Sequence, residues 1–169
     1  SEMHKKNDKL RLHFFGDIKG CEPAFEMHRN LLGDAIVIHN SIPRESVGPT
    51  MEGADILVNI GNGTEHQLPS KLVEYVAAGR PILNISRTPR DTAAAFLKNH
   101  PSSLSVVLED ETPTAGQIAL ALDFVREPPA IATAERDALT LPFQIHAIAG
   151  AFALLATENG ETPSASRPQ

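Results

Sequence analysis

With 169 residues, 41% of them hydrophobic and 21% charged, the chain has the makeup of a globular domain rather than of a disordered or fibrous protein. A formal net charge of −6, with no basic cluster longer than His4-Lys5-Lys6, argues against nucleic acid as a partner, because phosphate backbones are held by clustered cations. The single cysteine, Cys21, excludes an internal disulfide and fits a reducing, cytoplasmic location.

Residues 10–16 alternate and end in Gly16, which predicts a first strand. A helix follows, with Ala24, Phe25, His28, Leu31 and Leu32 at helical spacing and a stop at Gly33. Cys21, at the entrance of this helix, is expected to be a half-buried, unreactive thiol. Residues 35–40 predict a short buried strand. The stretch 41–54 carries Pro43, Gly48, Pro49 and Gly53, and so predicts at most a short, broken helix. A third strand is predicted over 55–61, then a loop, then a helix over 70–78 that ends at Gly79. Residues 81–86 predict a fourth strand, 90–100 a helix and 104–110 a fifth strand.

The helix predicted over 114–127 is ended by Pro128-Pro129. The apolar run beginning at Leu141 predicts a final, mostly buried helix reaching residue 159. It contains Pro142, Gln144 and His146, and no apolar run attains the roughly 18 residues needed to cross a bilayer, so no transmembrane segment is expected. Residues 160–169 are polar and rich in Pro and Ser, predicting a disordered tail behind one domain of residues 1–159.

Apolar strands separated by helices predict an α/β fold: a doubly wound, mostly parallel, Rossmann-like sheet covered on both faces. In such sheets ligands bind beyond the carboxyl ends of the strands. The segment "GNGTEHQLPSK", residues 61–71, leaves the third strand at that edge. Gly61 and Gly63 permit close approach of backbone to a ligand. Ser70 and Lys71 open a helix whose free N–H groups favour phosphate, and Glu74 lies one turn further, able to accept the hydroxyls of a ribose. The same residue types also fit a plain helix start, with Ser70 as cap and Lys71 and Glu74 in solvent, and both readings stay open on this evidence. The segment matches neither phosphate-loop nor dinucleotide fingerprints, so no nicotinamide cofactor is expected. The seven histidines show no metal-ligand spacing, so no metal or other cofactor is expected either.

Residues 52–83, "EGADILVNIGNGTEHQLPSKLVEYVAAGRPIL", resemble the donor-binding segment of GT-B fold glycosyltransferases, above all the large retaining family 4 group. The residues that carry the resemblance are Ala54-Asp55, Pro69-Ser70-Lys71, Glu74-Tyr75 and Ala77-Ala78-Gly79-Arg80-Pro81-Ile82. The resemblance implies a nucleotide-diphosphate-sugar donor (UDP- or GDP-linked), with Glu74 on the ribose. Gln67, Leu68 and the N–H groups of Lys71 and Leu72 would face the sugar and diphosphate, and Asn40, Ser41 and Ile42 would line the base. That family places two glutamates eight positions apart; here His66 stands eight before Glu74, and Glu65 one earlier, as the residues nearest the sugar.

The same resemblance implies a piece of a larger enzyme: the GT-B C-terminal half lacking its first strand-helix unit, and without the N-terminal acceptor domain. On that basis the fragment alone is expected to transfer no sugar, and no catalytic residue is assigned. The strand edge left open predicts self-association, as a homodimer. A related GT-B epimerase fragment and a non-catalytic α/β interaction module are the alternative functions.

Overall fold

The computed structural model describes residues 10–61, 64–110 and 112–158. Gly63 and the tail expected over 160–169 lie outside the described residues. The chain divides near Pro49 into two compact units. Each contains parallel strands and helices, so the fold is the expected Rossmann-like α/β class. The strands nevertheless form two sheets, a pair and a triplet, rather than one continuous sheet.

In the first unit, β1 (Leu12–Phe15) leads through α1 (Glu22–Leu32) and a 3-10 turn (Gly33–Ala35) to β2 (Ile36–His39). Pro23 sits in the first turn of α1, where its missing N–H leaves no bond unmade. Gly33 ends the helix at φ +54°, its N–H bonded to the Arg29 carbonyl. The two strands pair in parallel, Leu12 opposite Ile36 and Phe15 opposite His39. Phe14 meets Phe25 of α1 edge-on, with centroids 4.7 Å apart. Strand alternation turns His13 and Phe15 the other way, where the Phe15 and His39 rings stack at 4.2 Å and His13 Nδ1 lies 2.9 Å from His39 Nε2.

None of the described residues 10–49 is buried, since two strands and a helix offer too little apolar area to close a core. Cys21 corrects its expectation: the thiol is exposed, because it projects from the open end of α1. The segment after β2 corrects another. It forms a nine-residue helix, α2 (Arg44–Glu52), with Pro49 inside. Pro49 forfeits one bond, and Pro43 just ahead fixes the entry by accepting the Ser46 N–H at 2.9 Å.

The second unit runs β3 (Leu57–Ile60), α3 (Lys71–Ala77), β4 (Ile82–Ser86), α4 (Thr92–Leu97), β5 (Ser103–Val107) and α5 (Ala115–Arg126). Helix α6 (Thr133–Thr140), a 3-10 turn (Leu141–Phe143) and α7 (Ile145–Glu158) follow. The sheet order is β3-β4-β5, all parallel. Alternation along β4 supplies both faces. Ile82 joins Leu72 and Val76 of α3 and Ala93 and Leu97 of α4, whereas Leu83 joins Val106 and Phe124 of α5. This three-stranded sheet is therefore covered on two sides. Helix α5 is fixed at its start by a reciprocal pair: the Gln117 N–H reaches Thr114 Oγ1 (3.2 Å), and the Thr114 N–H reaches Gln117 Oε1 (2.8 Å).

The last predicted helix needs correction in start and burial. The chain makes a 3-10 turn at Leu141–Phe143, with Pro142 in its first turn where the missing N–H leaves no bond unmade, and α7 begins only at Ile145. Ile145 is 85% exposed and Phe152 69% exposed, so among the described side chains, those up to Leu154, α7 is apolar without being buried. Among the described residues no single helix is long and apolar enough to cross a membrane; only the pair Thr133–Phe143 and Ile145–Leu154, bent by 46°, has the length and composition.

His100, between α4 and β5, is 5% exposed. Its Nδ1 accepts the Ser102 N–H at 3.2 Å, and its Nε2 has no partner. Burial pushes its pKa below the usual 6.5, outweighing the upward pull of the Glu135 carboxylate. A lowered imidazole pKa makes the unfolded chain the better proton acceptor. Its contribution to stability is thus complete above pH 6.5 and is lost as pH falls through the folded-state value. The melting temperature of wild type relative to His100→Gln should accordingly fall between pH 7.5 and pH 5. A difference that stays constant over that range would contradict the assignment.

Candidate ligand-binding site

Strands β3 and β4 are parallel neighbours, so their carboxyl ends share one edge of the sheet. Two connections leave that edge: the predicted ligand loop after Ile60, and the turn from Ser86 to Asp91. Gly61 continues the pairing, its N–H donating to the Ile85 carbonyl at 2.8 Å. A Cβ on Gly61 would lie 3.1 Å from Asp91 Oδ1 and 3.2 Å from the Ser86 Cβ. Asp91 is 2% exposed and bonded in place, so glycine is what lets the two connections approach.

Further contacts bind the loop to the turn. Glu65 Oε1 pairs with Arg90 Nε at 2.8 Å. Thr92 Oγ1 donates to the Gln67 carbonyl at 2.8 Å. The turn is set by its own bonds: Ser86 Oγ donates to the Thr88 carbonyl (3.2 Å), and the Arg90 N–H to Thr88 Oγ1 (3.2 Å). Asp91 then caps α4 by accepting the Ala94 N–H at 3.2 Å.

Behind the turn runs a row of polar side chains across three strands. Asn59 Nδ2 donates to Asn84 Oδ1 (2.6 Å), and Asn84 Nδ2 donates to Asp91 Oδ2 (2.9 Å) and Ser105 Oγ (3.3 Å). The register makes the row, since Asn59 lies opposite Asn84 and Asn84 opposite Ser105. The row ties the core of the sheet to the residue that touches Gly61.

Of the residues expected to bind a ligand, His66, Gln67, Ser70, Lys71 and Glu74 are exposed at this edge. Leu68 packs partly against the α3 core, and the Leu72 side chain is fully buried within it. The Leu72 N–H is taken by the Pro69 carbonyl at 3.0 Å. Ser70 has helical backbone angles and makes no side-chain cap bond. Glu74 also acts on its neighbour: burial first, and the Glu74 charge second, push the Tyr75 phenol above its usual 10.0. Asn40, Ser41 and Ile42 belong to the first unit, in the connection from β2 to α2; Asn40 and Ser41 are exposed and Ile42 half-buried.

Arg87, Arg90, Asp91 and Thr92 were missed by the sequence reading. The usable signal was topological, because every connection leaving the carboxyl edge of a parallel sheet is a candidate. The end of β5 has the opposite character, a shallow hollow of about 290 Å³ lined by Glu109, Asp110 and Gln117, among others. Two carboxylates there repel an anion, while Arg87, Arg90 and Lys71 at the β3–β4 edge attract one. Among the described residues no group of three or more His, Cys, Asp or Glu is arranged to hold a metal ion. No protein family, curated protein or solved structure matches this chain.

Proposed function

We propose that the chain is the donor-binding half of a GT-B glycosyltransferase and holds a nucleotide-diphosphate-sugar at the β3–β4 edge. The observation that carries this reading is the position of the 61–74 segment. The stretch with the family-like pattern leaves the carboxyl end of a parallel strand and presents Lys71 and Glu74 to solvent.

In this reading Glu74 accepts the ribose hydroxyls, Lys71 faces the diphosphate, and Gln67 with Glu65 and His66 lies toward the sugar. Catalysis in the whole enzyme would rest on neutralising the departing diphosphate, which carries the charge that develops as the glycosidic bond breaks. Two copies of the chain would associate as a homodimer. The lone cysteine supports a cytoplasmic setting.

Isothermal titration with UDP and with GDP tests the proposal. One of them should bind, and Glu74→Gln should weaken it roughly tenfold or more, the loss expected for a hydrogen bond to a charged group. Absence of binding by both at millimolar ligand would overturn it in favour of a non-catalytic module.

A further inference from the structure

We propose that Arg90 is the anion-receiving cation of the β3–β4 edge, and that Glu65 holds it in reserve as an internal competitor. The inference rests on the donor-binding reading and gives that site a residue outside the segment on which the reading was built. Helix α3 has only seven residues, too short for its terminus alone to make a phosphate site, so the charge must come from side chains. Arg90 sits on the turn leaving β4, one strand over from the loop that carries Glu65.

The pair is built to be exchanged. Its ions are 2.8 Å apart, but Arg90 is 78% exposed and Glu65 33% exposed. Exposed pairs of this kind contribute little net stability, so a ligand anion of higher charge displaces the carboxylate readily. The guanidinium then offers its planar fork to two phosphate oxygens, a geometry a lysine cannot provide. The other contacts between loop and turn, among the described residues, do not involve Arg90. Thr92 still holds the Gln67 carbonyl, and Gly61 still lies against Asp91. The loop therefore stays docked while Glu65 swings free, toward the place where the sugar of the donor would lie. Diphosphate capture and release of Glu65 are one event.

The test is titration of inorganic pyrophosphate and of UDP and GDP into the intact chain, wild type and the surface variants Glu65→Gln and Arg90→Gln, with unchanged melting temperatures confirming the fold. Glu65→Gln should tighten pyrophosphate about threefold, the change expected for removing a half-buried competitor from a pair whose cation is exposed. Arg90→Gln should weaken it at least tenfold. In the double variant the gain from Glu65→Gln should vanish, because there is no longer a cation to compete for. Pyrophosphate binding that follows this pattern, with neither nucleotide binding more tightly than pyrophosphate, would support the latch and reject the nucleotide reading. Binding of UDP or GDP that depends on Glu74 but is unchanged in Arg90→Gln would overturn the latch and leave the donor reading standing. Equal pyrophosphate affinity in all four proteins, or none in any, would overturn it as well.

Discussion

Replacing Asn84 with leucine should cost the second unit about 4 kcal/mol, the sum expected when two buried partners lose their hydrogen bonds. Asn84 is fully buried and stands at the centre of the polar row. It accepts from Asn59 and donates to Asp91 and Ser105. Leucine fills a similar volume but leaves the Asn59 amide without its acceptor and Asp91 without its side-chain donor. A buried carboxylate stripped of a donor is the costlier of the two. Tyr75 is the only tyrosine, the chain has no tryptophan, and Tyr75 packs against the α3 core. Its fluorescence in a urea titration therefore reports on this unit alone. The double variant Asn59→Leu/Asn84→Leu should recover part of the loss, since it removes one of the stranded amides. A loss under about 1 kcal/mol in the single variant would show that the row contributes little net stability.

How far the sequence disclosed this arrangement differs from element to element. The parallel α/β class was legible because the apolar runs are continuous and strand-length, and helical spacing returns between them. Gly33 and Gly79 marked helix ends correctly, each at a positive φ that other residues rarely adopt. Helix α2 was under-read because a proline one turn inside a helix forfeits a single bond, a small penalty beside the contacts of nine residues. Helix α6 was missed because "TAERDALT" follows two prolines and carries few apolar residues, so its pattern resembles a loop.

The site divides in the same way. The loop after β3 announced itself through its glycines and the Pro-Ser-Lys entrance. Arg90 and Asp91 did not, since a turn with Thr, Pro and Arg has no spacing that points anywhere; only the adjacency of β3 and β4 gives them meaning. The Asn59-Asn84-Ser105 row was equally hidden. Each residue is visible as a polar interruption of an apolar strand, but register aligns them, and register is set by packing on both faces of the sheet.

Leu72→Ala should destabilise the second unit by about 3 kcal/mol, within the range found for large-to-small changes in closed cores. Leu72 is fully buried among Val76, Ile82, Ala93 and Leu97, with Leu68 and Tyr75 packed around that cluster. Its neighbours come from three different elements, so they cannot collapse together to fill the space. The residue matters beyond its volume because α3 is only seven residues long. A helix that short has no stability of its own, and packing of one face holds it. Leu72 and Val76 are that face; Lys71 and Glu74 are exposed beside them. Val73→Ala, one position on and only half-buried, is the matched control and should cost under about 1.5 kcal/mol. The two variants, unfolded in urea and followed by Tyr75 fluorescence, should therefore separate clearly. If they differ by less than about 0.5 kcal/mol, the buried face does not hold α3, and the exposed pair Lys71 and Glu74 is positioned by the loop on its N-terminal side instead.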